Sequence, residues 1–231
     1  MLKIKYVALF FILTFLLQNC SNLRLSWYQS TNNENNNICL TFDDGPNGIA
    51  TEKLLDVLDK YNAPATFFII GENAEKYPDL IKRISNKYNI GNHSYYHDIF
   101  FFNMSEEYIK TSINKTNDII YKITGVFPRF FRAPNGLVNN KIDKISKELN
   151  MTLVGTNIFI NDPMLITEEV IYKKLISKIK KGSNIIVLHD GFGTINNPNR
   201  IIVAQALDKL IPKLKKKGFS FKNLDNIGNC N

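Results

Sequence analysis

From Ile38 onward the chain alternates short apolar, β-prone runs with amphipathic helical stretches about seven times. Parallel strands cannot be joined by tight turns, so such a chain is committed to a parallel sheet covered by its crossover helices. The strand-like runs are residues 38–42, 65–70, a short run at Ile90, 130–131, 151–155, 185–188 and 219–224. Between the first two, Leu54, Leu55, Leu58 and Tyr61 keep helical spacing, and similar patterns cover residues 74–87, 105–125, 141–149, 167–179 and 201–217. Ser105 followed by Glu106 and Glu107 is a good helix start. Polar residues follow strand after strand, which fits a barrel with its site at the C-terminal strand ends. An open doubly wound sheet is the alternative, but no Gly-rich phosphate loop follows the first strand. The expected fold is α/β, a distorted (β/α)7 TIM-like barrel, and 231 residues give it ample length for a core.

The N-terminus reads as an address. Lys3 and Lys5 precede an apolar run over residues 6–17, well short of the ~20 residues a spanning helix needs, as in a secretory signal. It ends in Leu17-Gln18-Asn19-Cys20-Ser21, which resembles the lipobox of bacterial lipoproteins, where the Cys is lipidated. Asn19 stands where Gly, Ala or Ser is usual, and a plain signal peptide or an uncleaved anchor is the alternative. The expectation is residues 1–20 as signal, 21–37 as an Asn-rich tether without apolar periodicity, and 38–231 as the folded domain of an exported, membrane-anchored envelope protein. Trp27, the single tryptophan, falls in the tether. Export permits a disulfide between Cys39 and Cys230, though a buried thiol and a free terminal one fit equally. The net charge of +8 could suit nucleic acid, but no basic stripe is interleaved with stacking aromatics. Lys213 and Lys215–Lys217 close a predicted helix, where positive charge complements the dipole. Anionic envelope polymer is the better non-specific partner.

Asp43 and Asp44 follow the first strand-like run and precede Gly45-Pro46. Adjacent side chains on a strand point to opposite faces, so two carboxylates share one site only where the strand stops being regular. Two such charges call for a cation or a proton between them. An exposed Asp-Asp-Gly turn is the bland alternative. The chain has three histidines: His93 and His97 sit four residues apart after a strand, and His189 directly follows residues 185–188. The i,i+4 pair can present two imidazoles on one face of a helical turn to one metal ion. A lone pair at this spacing is weak, but every histidine here adjoins a strand end, as the two aspartates do. Arg132 also follows a strand and can hold an acidic side chain ionised, and the turn Pro134-Asn135-Gly136 can aim a backbone N–H at an oxyanion. A surface Arg before a reverse turn fits the same residues. Asp162, before Pro163, reads equally as a common turn.

Taken together, these motifs resemble the polysaccharide deacetylases (NodB-homology domain) of carbohydrate esterase family 4. The resemblance rests on Thr41-Phe42-Asp43-Asp44-Gly45, His93-Ser94-Tyr95-Tyr96-His97, Arg132-Ala133-Pro134-Asn135-Gly136 and Leu188-His189-Asp190, in the family's order, and runs from about Ile38 to Leu224. It implies the polysaccharide deacetylase fold and a hydrolase that removes N-acetyl groups from N-acetylglucosamine residues of a glycan, peptidoglycan first and chitin-like oligomers next. It implies Asp44, His93 and His97 as ligands of one divalent metal ion, Zn²⁺ or alternatively Co²⁺. Asp43 would be the general base, Arg132 its orienting partner, His189 the general acid, and Asp162 the residue pairing with His189. Leu188 would line the acetyl pocket and backbone near Asn135 would meet the oxyanion. Three departures stand out: Asp98 where Pro is common, Asn135 where Tyr is usual, and a fourth motif reduced to Asp162-Pro163 without its Trp. The last motivates one alternative, a catalytically weak glycan-binding protein on this scaffold, and a second, an O-acetyl (xylan) esterase, would use the same machinery.

Overall fold

The computed structural model describes residues 23–26, 36–165, 167–195 and 197–226. The expected signal segment with Cys20, Trp27 and Cys230 lie outside the described residues. In chain order the elements are β1 (Arg24–Leu25), β2 (Asn37–Gly45), α1 (Gly48–Lys60), β3 (Ala65–Ile69), α2 (Gly71–Lys76), α3 (Pro78–Ser85) and β4 (Asn89–Asn92). They continue as α4 (Glu106–Thr124), β5 (Phe130–Phe131), β6 (Leu137–Val138), α5 (Asn140–Glu148), β7 (Thr152–Leu153) and β8 (Ile158–Phe159). The last are α6 (Glu168–Lys178), β9 (Ser183–His189), α7 (Ile201–Lys216) and β10 (Ser220–Phe221).

The main sheet runs β7-β5-β4-β3-β2-β9-β8, and all of its pairings are parallel. β10 joins the lower end of β2, with Phe221 opposite Ile38, below the point where the β3 ladder starts at Leu40. The outer strands β7 and β8 do not pair with each other among the described residues, so the arc is a half-barrel open along one seam. This is the expected parallel α/β barrel, in its incomplete form. β7 and β8 are two residues each, too short to close it.

Strand alternation sorts the core into two faces. Leu40, Phe42, Phe67, Ile69, Ile186 and Leu188 point outward and pack against Leu54, Leu58, Leu207 and Leu210 of the covering helices. Each such fully buried side chain stabilises the fold by about 1.5–3 kcal/mol. Cys39, Phe68, Phe130, Val154, Ile185 and Leu224 form a separate cluster on the inner face. Cys39 is buried there and its thiol donates to the Lys222 carbonyl at 2.9 Å. The same alternation turns Thr41 and Asp43 inward.

Helix ends follow local chemistry. The Ser105 hydroxyl accepts from the Tyr108 N–H, and Gly125 closes α4 in the left-handed region at φ 75°. Thr167 caps α6 in the same way as Ser105 caps α4. One helix was expected over residues 74–87; two are present, meeting at Tyr77-Pro78. Pro78 has no N–H to continue α2, and instead starts α3 at a position where none is needed.

Residues 23–26, expected within a structureless tether, are docked on the domain. β1 pairs antiparallel with β6, Arg24 opposite Val138 and Leu25 opposite Leu137. Leu23 packs against the cluster of Phe101, Phe131 and Ile142, and Arg24 forms an ion pair with Asp143 on α5. Two residues carry too little pattern for this strand to be read from the sequence.

Candidate active site at the strand ends

β2 and β9 lie side by side, with Asp43 opposite His189. On its other edge, β2 loses register with β3 between Asp43 and Gly45. Asp44 occupies this irregularity at φ 72°, and the break in alternation brings its carboxylate to the same site as Asp43. The site is buried: Asp43 and Asp44 are each 4% exposed and His93 is 2% exposed.

Asp44 Oδ1 lies 3.5 Å from His93 Nε2 and 3.4 Å from His97 Nε2, and it has no hydrogen-bond partner. Its other oxygen accepts from the Gly193 N–H at 2.9 Å. His93 Nδ1 is 2.7 Å from the Arg132 carbonyl. A carbonyl only accepts, so Nδ1 carries the proton and Nε2 offers a lone pair toward Asp44. The donor atoms of Asp44, His93 and His97 all lie within 4.8 Å of one another. Donors about 2.0–2.2 Å from one tetrahedral ion stand roughly 3.3–3.5 Å apart, which is the spacing of Asp44 Oδ1 from each of the two imidazole nitrogens. The orphaned buried oxygen and two imidazoles therefore fit a divalent metal ion. Burial lowers the pKa of His97, against the pull of the Asp44 charge, which favours the neutral ligand form. Burial alone would raise the pKa of Asp44, but the imidazoles of His93, His97 and His189 around it hold it well below the usual carboxylate range.

The histidine pair does not ride on a helix. Residues 93–98 form an irregular loop in which Ser94 and His97 have φ of 67° and 59°. The Ser94 hydroxyl accepts from the His97 N–H at 3.1 Å, and this tight turn, rather than helical pitch, sets the two rings 4.9 Å apart.

Asp43 faces a different partner. Its Oδ1 accepts from Arg132 Nη1 at 2.7 Å. Arg132 is 3% exposed. It also donates to Thr41 Oγ1 at 2.8 Å, to the Val154 and Gly155 carbonyls at 3.3 and 3.2 Å, and lies over the Phe68 ring. A guanidinium saturated in this way holds one carboxylate geometry.

His189 Nδ1 is 2.8 Å from Asp162 Oδ1, and its backbone N–H donates to Asp162 Oδ2 at 3.0 Å. Burial would lower the pKa of His189, but the Asp162 charge and hydrogen bond, with Asp44 and Asp43 nearby, raise it to about 9. Asp162, the weakest sequence candidate, is thus joined to the site and fully buried. Arg200 was not anticipated. It pairs with Asp162 Oδ2, donates to the Asp162 carbonyl at 3.0 Å, and reaches the His189 carbonyl at 3.1 Å. Nothing in the sequence around Arg200 marks it. Asp190, which the sequence offers only as the residue after His189, is fully buried too. Burial pushes its pKa up to about 7, and it sits against Gly45, where any Cβ would collide with its carboxyl.

Asp43, Asp44, His93, His97, Arg132 and His189 line a cavity of about 570 Å³, a size usual for small-molecule sites, while Asp162, Asp190 and Arg200 lie behind them. Asn135, at φ 56°, lines it within the turn after Arg132. Leu188 does not, contrary to expectation. It is fully buried on the helix-facing side, and Val187 lines the cavity instead, because neighbours on a strand face opposite ways. The absent Trp does not leave the rim without aromatics, since Tyr96, Phe159 and Phe192 all line it.

Comparison with known proteins places this architecture. Residues 30–154 match the family model for polysaccharide deacetylase. A peptidoglycan-N-acetylglucosamine deacetylase of Bacillus cereus is 36% identical over 191 residues, covering 82% of this chain and 67% of that protein. Against longer curated relatives the chain spans only 39% of their length. Among solved structures, the Bc1960 peptidoglycan N-acetylglucosamine deacetylase, bound to an N-hydroxybenzamide, superposes with a TM-score of 0.79 at 32% identity, covering 88% of this chain and 92% of that one. A family 4 acetyl xylan esterase from Clostridium thermocellum, in complex with a cobalt ion, gives 0.72 at 36% identity, covering 83% and 89%. The chain belongs to the polysaccharide deacetylase family.

Proposed function

We propose that this protein is a metal-dependent N-deacetylase of cell-envelope glycan, acting on N-acetylglucosamine residues of peptidoglycan and releasing acetate. The observation that carries this reading is the division of the site. One carboxylate, Asp44, faces two imidazole nitrogens through an oxygen with no hydrogen bond, while the next, Asp43, is held by Arg132 at 2.7 Å. Asp44, His93 and His97 would hold the ion, Zn²⁺ by preference for two nitrogen donors and one oxygen. Held there, a divalent ion would supply Lewis acidity toward water and toward the acetamide carbonyl.

The chain's own residues account for the protons. Asp43 accepts the proton of the attacking water as the C–O bond forms. His189, protonated at neutral pH by its raised pKa of about 9, gives a proton to the nitrogen as the C–N bond breaks. The products are acetate and a glucosamine unit. Arg132 keeps Asp43 aimed, and Asp162 keeps the His189 Nε2 turned toward the cavity. Within the Pro134–Gly136 turn the Gly136 N–H is taken by the Ala133 carbonyl, so the Asn135 N–H is the backbone donor that would meet the developing oxyanion.

The test is acetate release from an N-acetylglucosamine tetramer and from purified peptidoglycan, with chelator and after restoration with Zn²⁺ or Co²⁺. Release that chelator abolishes and metal restores is the expected result. Absence of release from any acetylated glycan, by the metal-loaded protein, returns the chain to the glycan-binding reading. Faster release from acetylated xylan than from either N-acetylated substrate makes it an O-acetyl esterase. The match to the Bacillus cereus deacetylase supports peptidoglycan as substrate and the cell envelope as location.

A further inference from the structure

The cavity has a wall that comes from outside the strand–helix pattern. Leu25 and Ser26 line it, though they precede β2 by more than ten residues and belong to no motif of the site. Their placement is built by several contacts. The Ser26 N–H donates to the Gly136 carbonyl at 2.8 Å, and its carbonyl accepts from the Thr156 N–H at 3.3 Å. Thr156 lies between β7 and β8, at the open seam of the half-barrel, and Gly136 ends the turn that carries Asn135. β1 therefore bridges the seam at the catalytic end of the sheet. Leu23 is packed into the domain, whereas Leu25 is 60% exposed. A leucine held by backbone bonds at a cavity rim, with most of its surface uncovered, has apolar area available for a ligand.

The other side of the cavity matches it. Phe159 and Met164 are 44% and 68% exposed and line the same space. Around the ionisable groups the lining mixes apolar side chains, Leu25, Ile99, Phe159 and Met164 among them, with uncharged polar ones such as Ser26, Asn135 and Thr156. A hexose in a glycan chain has this polarity, with hydrophilic edges and C–H faces that stack on apolar and aromatic side chains.

We propose that the end of β1 and the residue after it, Leu25 and Ser26, form a substrate-binding wall of the deacetylase, which with Phe159 and Met164 grips the sugar units flanking the one that loses its acetyl group. It rests on the glycan-deacetylase reading above. In this arrangement the wall supplies part of the apolar surface that a Trp in the fourth motif would otherwise provide, and discriminates a glycan chain from a single acetylated sugar.

The experiment uses the full-length, metal-loaded protein and calorimetric titration with an N-acetylglucosamine tetramer. Leu25→Ala is expected to weaken binding about five- to tenfold, as expected for removing a partly covered leucyl side chain. Leu25→Met keeps an apolar chain and is expected to retain the parental affinity. Equal affinity of Leu25→Ala and the parent overturns the proposal, as does an equal weakening in Leu25→Met and Leu25→Ala, which marks a structural role. A parent that binds the tetramer but releases acetate from neither it nor any other acetylated glycan removes the enzyme reading and leaves Leu25 as part of a glycan-binding wall. A parent that does not bind it overturns the wall, while acetate release from purified peptidoglycan decides the enzyme reading separately.

Discussion

Asp43 and Asp44 are neighbours in sequence, and the different roles proposed for them rest on what faces each. Asp44 meets two imidazoles with a bare oxygen; Asp43 meets a guanidinium. Asp43→Asn keeps the shape and removes the proton acceptor. It is expected to retain bound metal, measured by elemental analysis, while kcat falls by about 10²–10⁴, the usual contribution of a general base. His97→Ala is expected to lose metal and activity together. Normal turnover by Asp43→Asn would show that the base lies elsewhere. The acid is tested by pH. His189 must be protonated to donate, so activity is lost as pH rises through its pKa, which lies at about 9 against an ordinary 6.5. Asp162 supplies most of the upward pull, opposing burial, with Asp44 and Asp43 adding to it. Asp162→Asn removes that charge, so the alkaline limb of kcat/KM is expected to move to lower pH, toward the ordinary imidazole value. A limb that stays where it was would take His189 out of the acid's role. The variant also leaves Arg200 without its buried anion, so a fall in melting temperature is expected beside the shift.

At the scale of elements, the site depends on how closely the ends of β2 and β9 approach. Gly191, two residues after His189, packs directly on the backbone carbonyl of Asp44, and a Cβ there would overlap it. The obstacle is main chain, so no rotamer change relieves it. Gly191→Ala is expected to displace Asp44 and weaken Zn²⁺ affinity at least tenfold, the size of effect known for disturbed ligand support, and competition with a chromogenic chelator reads it directly. Unchanged affinity would mean that the β2 end yields without moving its ligand. The same scale explains what the sequence disclosed. The long elements were legible because burial imposes a period: Leu40 and Phe42 outward, Leu54 and Leu58 on one helix face. β1 and β8, two residues each, have no period to read. The HxxxH spacing suggested a helical turn where Ser94 and His97 take left-handed backbone instead. The proposed metal donors were nonetheless within reach of the sequence, because all three histidines adjoin strand ends, as the aspartates do, and the family resemblance then picks Asp44, His93 and His97. Arg200 was not, because its partner Asp162 lies 38 residues away and only the fold joins them.

For the whole molecule, the docking of β1 changes how far an anchor would let the domain travel. A free segment over residues 21–37 could extend up to about 60 Å, at ~3.5 Å per residue. With Leu23 already packed on the domain, only the chain from Cys20 to Leu23 remains as leash, at most about 11 Å. If Cys20 is the lipid attachment site, the cavity rim that β1 builds is held close to the membrane, and the glycan within reach is the newest layer. The anchor itself is tested by incorporation of a labelled lipid precursor, which Cys20→Ser is expected to abolish while releasing the protein from membranes. Reach is tested by inserting about 20 Gly/Ser residues between Asn22 and Leu23, which adds a root-mean-square span of about 25 Å. Cells producing the longer form at equal level are expected to show a larger deacetylated share of muropeptides, drawn from older wall. An equal share in both forms would mean that substrate access is set by the cavity walls alone, and that the short leash has no part in choosing the glycan.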